Sequence, residues 1–472
     1  MSVADRWPAQ IKFIVGNEAC ERFSFYGMKS ILAGYIAGEV ARGGLGQDVD
    51  TATSIIHTFV FAVYFMPLFG AWLSDRVIGR YHTILYVSLF YCAGHGVLAC
   101  SDMLTTVNAK LLCLYTGLSL IAFGSGGIKP CVSAFVGDQF KPEQSHLLQK
   151  AYGAFYWSIN FGSFFSFLVV PWVKDHHGYG LAFGVPGILM GMATFIFWLG
   201  TKHYIRVPPT RETKTASFMN VFWHALTRVK RKPGQSFWDV ARGRFSEREV
   251  DAAKSIGPIL SIFLLIPPFW ALFDQTNSTW VLQGQKMVSF RLFGLEVGAE
   301  QMQSANPALV MILVPLLTLV IYPMLGRYAT PLRRMSFGLF LTASSYLIVA
   351  ELQRQIEAGA RLGVAWQALP YLVLTTAEVL VSTTGLEFAF TQAAPELKST
   401  IMSFWLLTVA FGDLLVVAIT KFLPGSGATA HSASVSTSRF LLYAALTFVV
   451  AILFSIVASR YRYRGEAAIR SN

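Results

Sequence analysis

The sequence predicts an all-α polytopic membrane protein with twelve transmembrane helices in two six-helix bundles. Three observations predict it. Of the 472 residues, 54% are hydrophobic and only 14% are charged, against about 25% charged in a typical soluble domain. Mean hydropathy is +0.50. The apolar residues form long unbroken runs, not the alternating segments of about ten residues that mark a transmembrane barrel. A single soluble core stops growing at about 250–300 residues, so a soluble chain of this composition would expose apolar patches and aggregate. A soluble enzyme, a nucleic-acid-binding domain and a disordered chain are excluded.

A span needs about 20 mainly apolar residues, more when tilted, and in lipid it must close its own backbone hydrogen bonds as a helix. Twelve segments qualify: 11–37, 51–74, 81–101, 109–136, 150–173, 181–201, 255–281, 304–326, 333–352, 366–393, 399–423 and 437–460. The first, fourth and tenth are long and the most polar. Residues 202–254 form the longest connection, rich in Lys and Arg. They separate an N-terminal bundle (1–201) from a C-terminal one (255–472) and leave six spans on each side. That layout is the major facilitator architecture, in which the two bundles are related along the membrane normal. Within the linker Phe218, Val221, Phe222, Ala225, Leu226 and Val229 recur at helical spacing, so an amphipathic helix on the membrane surface is expected. Met1–Gln10 is short and polar and runs into a full span without an A-x-A site, so no cleavable signal is expected. Five cysteines form no CxxC and no metal spacing and read as buried small hydrophobes.

The net charge of +12 would suggest nucleic acid in a soluble chain. Its distribution says otherwise. With the N-terminus in the cytoplasm, 26 of the 38 Lys and Arg fall on the cytoplasmic side or at the span ends facing it, nine on the outer side or its span ends, and three (Arg22, Lys29, Lys129) deep within spans. Both termini are therefore expected to be cytoplasmic. Lipid is the expected surrounding, and neither nucleic acid nor an obligate protein partner is.

Ionisable groups inside a span are costly and usually functional. At about 100° per residue, Glu18, Glu21, Arg22, Tyr26 and Lys29 share one face of the first helix. Two carboxylates and two cations cancel, so the face loses water more cheaply when they pair. A structural ion-pair lock needs only two charges, and this face carries four and a phenol. That favours a working site, in which protonating a carboxylate releases its cation to a ligand. In the second span, His57 and Tyr64 share a face; His57 is either a hydrogen-bonded core residue or a proton carrier. The fourth span carries Gly124-Ser125-Gly126-Gly127-Ile128-Lys129-Pro130, small residues that permit close helix approach beside a deep lysine. Further along come Tyr156 and Asn160, then Phe269, Trp270 and Asp274, then Asn306, Glu378, Trp405 and Asp413. Together these supply a polar cavity with aromatic walls. There is no Walker A, HExxH or GxSxG sequence, so neither ATP use by that route nor enzymatic activity is expected, and no cofactor is implied.

These residues resemble a known family. Glu18–Gly27 is similar to the ExxERFxYYG hallmark of the proton-dependent oligopeptide transporters, with Phe25 in place of the first tyrosine. GSGGIKPCVSAFVGDQF (124–140), FYxxIN (155–160), FWALFDQ (269–275) and AEVLVSTTGLEFAFTQAAPELKS (377–399) resemble further family motifs, the last two especially those of mammalian members. GAWLSDRVIGR (70–80) is similar to the general facilitator loop. The resemblance implies inward symport of di- and tripeptides with protons as the coupling ion. It implies proton coupling through Glu18, Glu21, Arg22, His57 and Lys129, and a peptide carboxylate met by Arg22, Lys29 and Lys129. The amino group would meet Glu378, Asn160 and Asn306, with side-chain pockets of Tyr26, Tyr64, Tyr156, Phe269, Trp270 and Trp405. Lys29 stands where many members have Arg, so bidentate carboxylate recognition is lost there. His57 matches the mammalian type, and 202–254 is too polar to hold the two extra helices of many bacterial members. A mammalian-like member in a bacterial inner membrane is the reading this gives. Alternating access is expected, with Lys29 pairing Asp274 at an outer gate and Lys129 pairing a tenth-span carboxylate, preferably Glu378. The alternatives are a carrier of the same fold for nitrate or an organic anion, a channel or receptor, and a membrane-embedded hydrolase.

Overall fold

The computed structural model describes residues 7–209, 218–227, 236–393, 397–423, 433–461 and 463. The first half contains α1 (Ile11–Ala37), α2 (Val49–Val77), α3 (Arg80–Ala99), α4 (Val107–Asp138), α5 (Ser145–His177) and α6 (Tyr179–Leu199). The linker holds α7 (Phe218–Thr227). The second half contains α8 (Glu247–Phe263), α9 (Pro267–Asn277), α10 (Thr279–Gly284), α11 (Gln301–Leu325), α12 (Pro331–Glu357), α13 (Val364–Gln392), α14 (Lys398–Phe422) and α15 (Thr437–Arg460). Among the described residues, ten helices are long and apolar enough to cross a membrane, and α8 with α9 makes an eleventh. At 27 residues α1 is also long enough, but its charges keep it from counting as apolar. Each of the twelve expected spans thus falls on a helix.

The seventh span is not the continuous run the sequence suggested. It bends by 43° between α8 and α9, where Pro267 and Pro268 remove two amide donors and clash with the preceding turn. Between α10 and α11 a short hairpin, β1 (Phe290–Leu292) and β2 (Leu295–Val297), turns through Phe293 and Gly294, both at positive φ. Nothing in the hydropathy signalled it.

The Gly-rich stretch of α4 packs where its size predicts. A Cβ on Gly126 would strike Met66 and sit 3.0 Å from the Val63 carbonyl, and one on Gly70 would come 2.6 Å from the Gly127 Cα. Helices α2 and α4 therefore touch backbone to backbone, as small residues allow. Buried Phe218, Val221 and Ala225 fix α7 against the second half, while Met219, Trp223 and Leu226 are exposed. Leu226 thus lies off the stripe expected for it, and Val229 lies outside the described residues. The linker is tied down by a capping box, Ser246 with Glu249, and by Arg242 on Asp251 at 2.6 Å. The Ser236 amide and Arg242 hydrogen-bond Asp239 and hold its carboxyl below the usual range.

The end where α1 begins is the near end, and the opposite one the far end. At the far end one apolar core runs through both halves, from Ile31, Leu32 and Ile56 to Trp280, Tyr346, Val416 and Phe440. At the near end the second half has a separate core around Phe263, Phe269, Phe388 and Trp405. Polar links reinforce the far seal. Lys174 Nζ lies 2.5 Å from Glu300 Oε2, Gln303 donates to the Ser30 carbonyl at 3.0 Å, and the Ser434 amide donates to Asp50 at 2.7 Å. This state is closed at the far end.

Candidate functional site

Between the halves lies a cavity of about 190 Å³, walled by α1, α2, α5, α9, α11 and α13. That is below the about 300–1,000 Å³ of drug-sized sites and suits a small occupant. Tyr26, Tyr64, Tyr156 and Trp270 form its aromatic walls, and Lys29, Asp274, Asn160, Asn306 and Glu378 its polar surface.

Charge is distributed across it. On one side Lys29 Nζ lies 3.0 Å from Asp274 Oδ1, both almost fully buried. Asp274 stands in the tight final turn of α9, which the Pro267 break brings round towards α1. On the other side the Asn306 amide donates to Glu378 Oε2 at 2.7 Å and to Thr375 Oγ1 at 3.1 Å. Glu378 immediately precedes a π-helical turn, Val379–Thr383, a distortion that commonly marks functional sites. Asn160 donates to the Tyr156 carbonyl one turn earlier.

Of the charged first-helix face, Tyr26 and Lys29 reach the cavity wall, while Glu18, Glu21 and Arg22 lie outside it. Arg22 Nε is 2.7 Å from both Glu18 Oε1 and Glu21 Oε2. Only the Glu18 contact has hydrogen-bond geometry, and neither Glu21 oxygen has a hydrogen-bond partner. Tyr91 of α3 and Lys129 of α4 are the other groups acting on Glu21.

Lys129 does not pair with Glu378 here. Its ammonium sits 4.1 Å from the Tyr64 ring centroid and 4.5 Å from that of Phe25, with no hydrogen-bond partner. Tyr64 lines the cavity and Lys129 does not, so the ring that holds the cation also screens it. Two residues expected in the pocket wall lie behind it. Phe269 and Trp405 do not line the cavity; their ring centroids are 4.9 and 6.3 Å from that of Trp270. Neighbours on a helix point about 100° apart, so only one of Phe269 and Trp270 can face inward.

His57 is buried between the halves, its Nδ1 2.6 Å from Asp413 Oδ1 and its Nε2 2.8 Å from Ser278 Oγ. Sequence reasoning missed Ser163, Phe167, Asn277, Gln303, Tyr371, Ser382 and Thr383, all in the wall. Part of the signal was present, since Asn160, Ser163 and Phe167 repeat at i, i+3 and i+7. Among the described residues, no group of three His, Cys, Asp or Glu side chains could hold a metal ion.

The POT family profile (PTR2) matches residues 81–434. "Peptide transporter family 1" of Drosophila melanogaster is 39% identical over 75% of this chain and 49% of its own length. "Solute carrier family 15 member 1" of Canis lupus familiaris is 36% identical over 74% of this chain and 52% of its own. The chain thus spans about half the length of these curated relatives. The crystal structure of an auto inhibited POT family peptide transporter superposes with a TM-score of 0.87 at 39% identity, covering 96% of this chain and 98% of the other. The POT family transporter PepTSo gives 0.86 at 38% identity with the same coverage. With three quarters of its length matched by the family profile and nearly all of it by solved members, the chain belongs to the POT family and has its major facilitator fold.

Proposed function

We propose that this chain is a proton-coupled symporter that imports di- and tripeptides by alternating access. The observation that carries the reading is the cavity, which sets a carboxylate, Glu378, across aromatic walls from Lys29 of α1, with Lys129 of α4 behind the Tyr64 ring. A zwitterionic peptide presents two opposite charges at nearly fixed separation, whatever its side chains. Holding both ends and leaving the middle to Tyr26, Tyr64, Tyr156 and Trp270 tolerates varied side chains, with Phe269 and Trp405 backing the wall.

In this state Arg22 is held by Glu18, and Lys29 by Asp274. Lys129 meets only aromatic faces, so of these three it is the cation without a carboxylate partner and takes the peptide carboxylate once the Tyr64 ring turns aside, with Arg22 and Lys29 available when their own partners protonate. Glu378 takes the amino group, helped by Asn306 and Asn160. Glu18, Glu21, Arg22, Lys129 and His57 carry the proton coupling. Lys29 and Asp274 gate the far end, which faces outward. The near end and both termini are cytoplasmic, in a bacterial inner membrane. Residues 1–201 and 255–472 are the rocking bundles, joined by the linker 202–254. Protons are the coupling ion, and no cofactor or obligate protein partner is required.

The names of the relatives, peptide transporters from animals, support the substrate class. A carrier of nitrate or an organic anion is disfavoured by Glu378, which such a substrate would leave unpaired. The test is uptake of a labelled dipeptide into proteoliposomes under an imposed pH gradient, competed with a tripeptide, free amino acids and nitrate. Accumulation blocked by tripeptide alone supports the reading. Competition by nitrate, or no accumulation, overturns it.

A further inference from the structure

We propose that Asp413 of α14 is the positioning residue that makes His57 of α2 a gated proton site. This rests on the symport reading above. The two residues are 356 positions apart, come from opposite halves, and are both 0% exposed. Imidazole Nδ1 meets Asp413 Oδ1 at 2.6 Å, and Nε2 is taken by Ser278 at 2.8 Å. Both ring nitrogens are thus engaged, one of them by a carboxylate, while the second carboxylate oxygen, Oδ2, has no hydrogen-bond partner. A buried histidine needing only structural satisfaction would be served by two neutral partners. A carboxylate out of water needs compensation.

Proton counting explains the arrangement. With one proton beyond the imidazole's own, the pair is imidazolium with carboxylate, or imidazole with carboxylic acid. Both forms are neutral. Without that proton the pair carries one negative charge in a sealed interior. The groups facing it do not remove this requirement. Lys29 of α1 is paired with Asp274 of α9, Lys129 of α4 is stacked on aromatic rings, and Tyr64 of α2 is a neutral phenol. The far end therefore closes over a loaded pair. When the halves part, His57 and Asp413 travel on different bodies, each meets water, and the proton exchanges with the outside. Asp413 thus links proton occupancy to the closure of the far gate, in parallel with Lys29–Asp274.

The experiment is dipeptide uptake into proteoliposomes as a function of external pH at fixed internal pH, for the parent, Asp413→Asn, Asp413→Glu and His57→Gln. An opposite charge at this distance shifts a titration by about 1–3 units. The Asn variant should therefore have its acid midpoint moved down by about that amount, while the Glu variant stays near the parent. His57→Gln should lose the titration step altogether. If His57→Gln loses the step and Asp413→Asn keeps the parent midpoint, the role of Asp413 is overturned and His57 stands. If Asp413→Glu shifts as far as Asp413→Asn, packing and not the acid is responsible, and the proposal fails. If His57→Gln titrates like the parent, histidine is not a coupling site and both fall. Should Asp413→Asn not fold, the Glu variant still decides, since the proposal requires the parent midpoint from it.

Discussion

Removing Asp274 should open the far end. The Lys29–Asp274 pair spans 3.0 Å and is nearly dry on both sides. Breaking a buried pair by deleting one partner costs about 3–5 kcal/mol, because the survivor is a buried uncompensated charge. The far-open state returns that charge to water and escapes the cost. At about 1.4 kcal/mol per tenfold, Asp274→Asn should shift the closed-to-open ratio roughly 100- to 4,000-fold towards open. Lys29→Met leaves a carboxylate that can take up a proton, so its opening should weaken as pH falls, whereas Asp274→Asn leaves an ammonium and should not. The double variant Lys29→Met/Asp274→Leu puts apolar groups of similar volume face to face, a replacement that is often neutral or stabilising, and should close again. Spin labels at Arg42 and Phe293, on opposite halves at the far end and both exposed, report the separation by pulsed electron resonance once the five native cysteines are replaced. A distance distribution for Asp274→Asn that superimposes on the parent, or a double variant as open as the single, would refute the reasoning.

Three further outcomes follow from the geometry. Glu21→Gln should abolish accumulation driven by a pH gradient while counterflow at equal pH persists, because the proton-accepting oxygen is gone and the cavity wall is untouched; unchanged accumulation sinks the coupling role of α1. Hydrogen bonds to charged groups contribute about 1.5–3 kcal/mol, so Glu378→Gln should weaken apparent affinity for free-amino peptides about 10–100-fold and amino-blocked analogues far less; equal loss for both counts against the clamp. Gly70→Val puts methyl groups onto the Gly127 backbone, where even a Cβ sits at 2.6 Å. Overpacking of this kind costs about 1–3 kcal/mol, read as a lower melting temperature in detergent; an unchanged melt would mean α2 and α4 separate freely.

What the sequence disclosed follows from which interactions are local. Spans could be read because lipid demands about 20 apolar residues in a row, and the charged face of α1 because helical geometry places Glu18, Glu21, Arg22, Tyr26 and Lys29 from spacing alone. Partner choice could not be read that way. His57 and Asp413, or Lys174 and Glu300, lie 356 and 126 residues apart and meet only because two bundles close on one another. The expected Lys129–Glu378 contact illustrates the difficulty, since charge complementarity named a partner while the Tyr64 ring, standing between lysine and cavity, decided the outcome. Phe269 and Trp405 were misplaced for a related reason, because an aromatic residue near a site has the same composition signal whether it faces the cavity or backs it. The prolines at 267 and 268 were visible throughout, but a break within an apolar run leaves its length unchanged, so the bend went unread.

The far seal is held by two kinds of contact that respond oppositely to opening. Its ion pairs, Lys29–Asp274 and Lys174–Glu300, are neutral in sum and regain hydration when they part, so the desolvation already borne by the closed state offsets much of what separation loses. The apolar contacts around Ile31, Leu32, Trp280 and Tyr346 have no such compensation in a water-filled opening, where each exposed square ångström costs roughly 25 cal/mol. Opening is therefore resisted mainly by the shared core, while the charged pairs set how finely the balance responds to a proton or a ligand. A transporter with the apolar seal alone would stay shut. With the pairs alone it would drift with salt and pH. Alternation between two states requires both, and on the proposed reading the proton site His57 is enclosed by the seal it would control, buried with Asp413 between the halves.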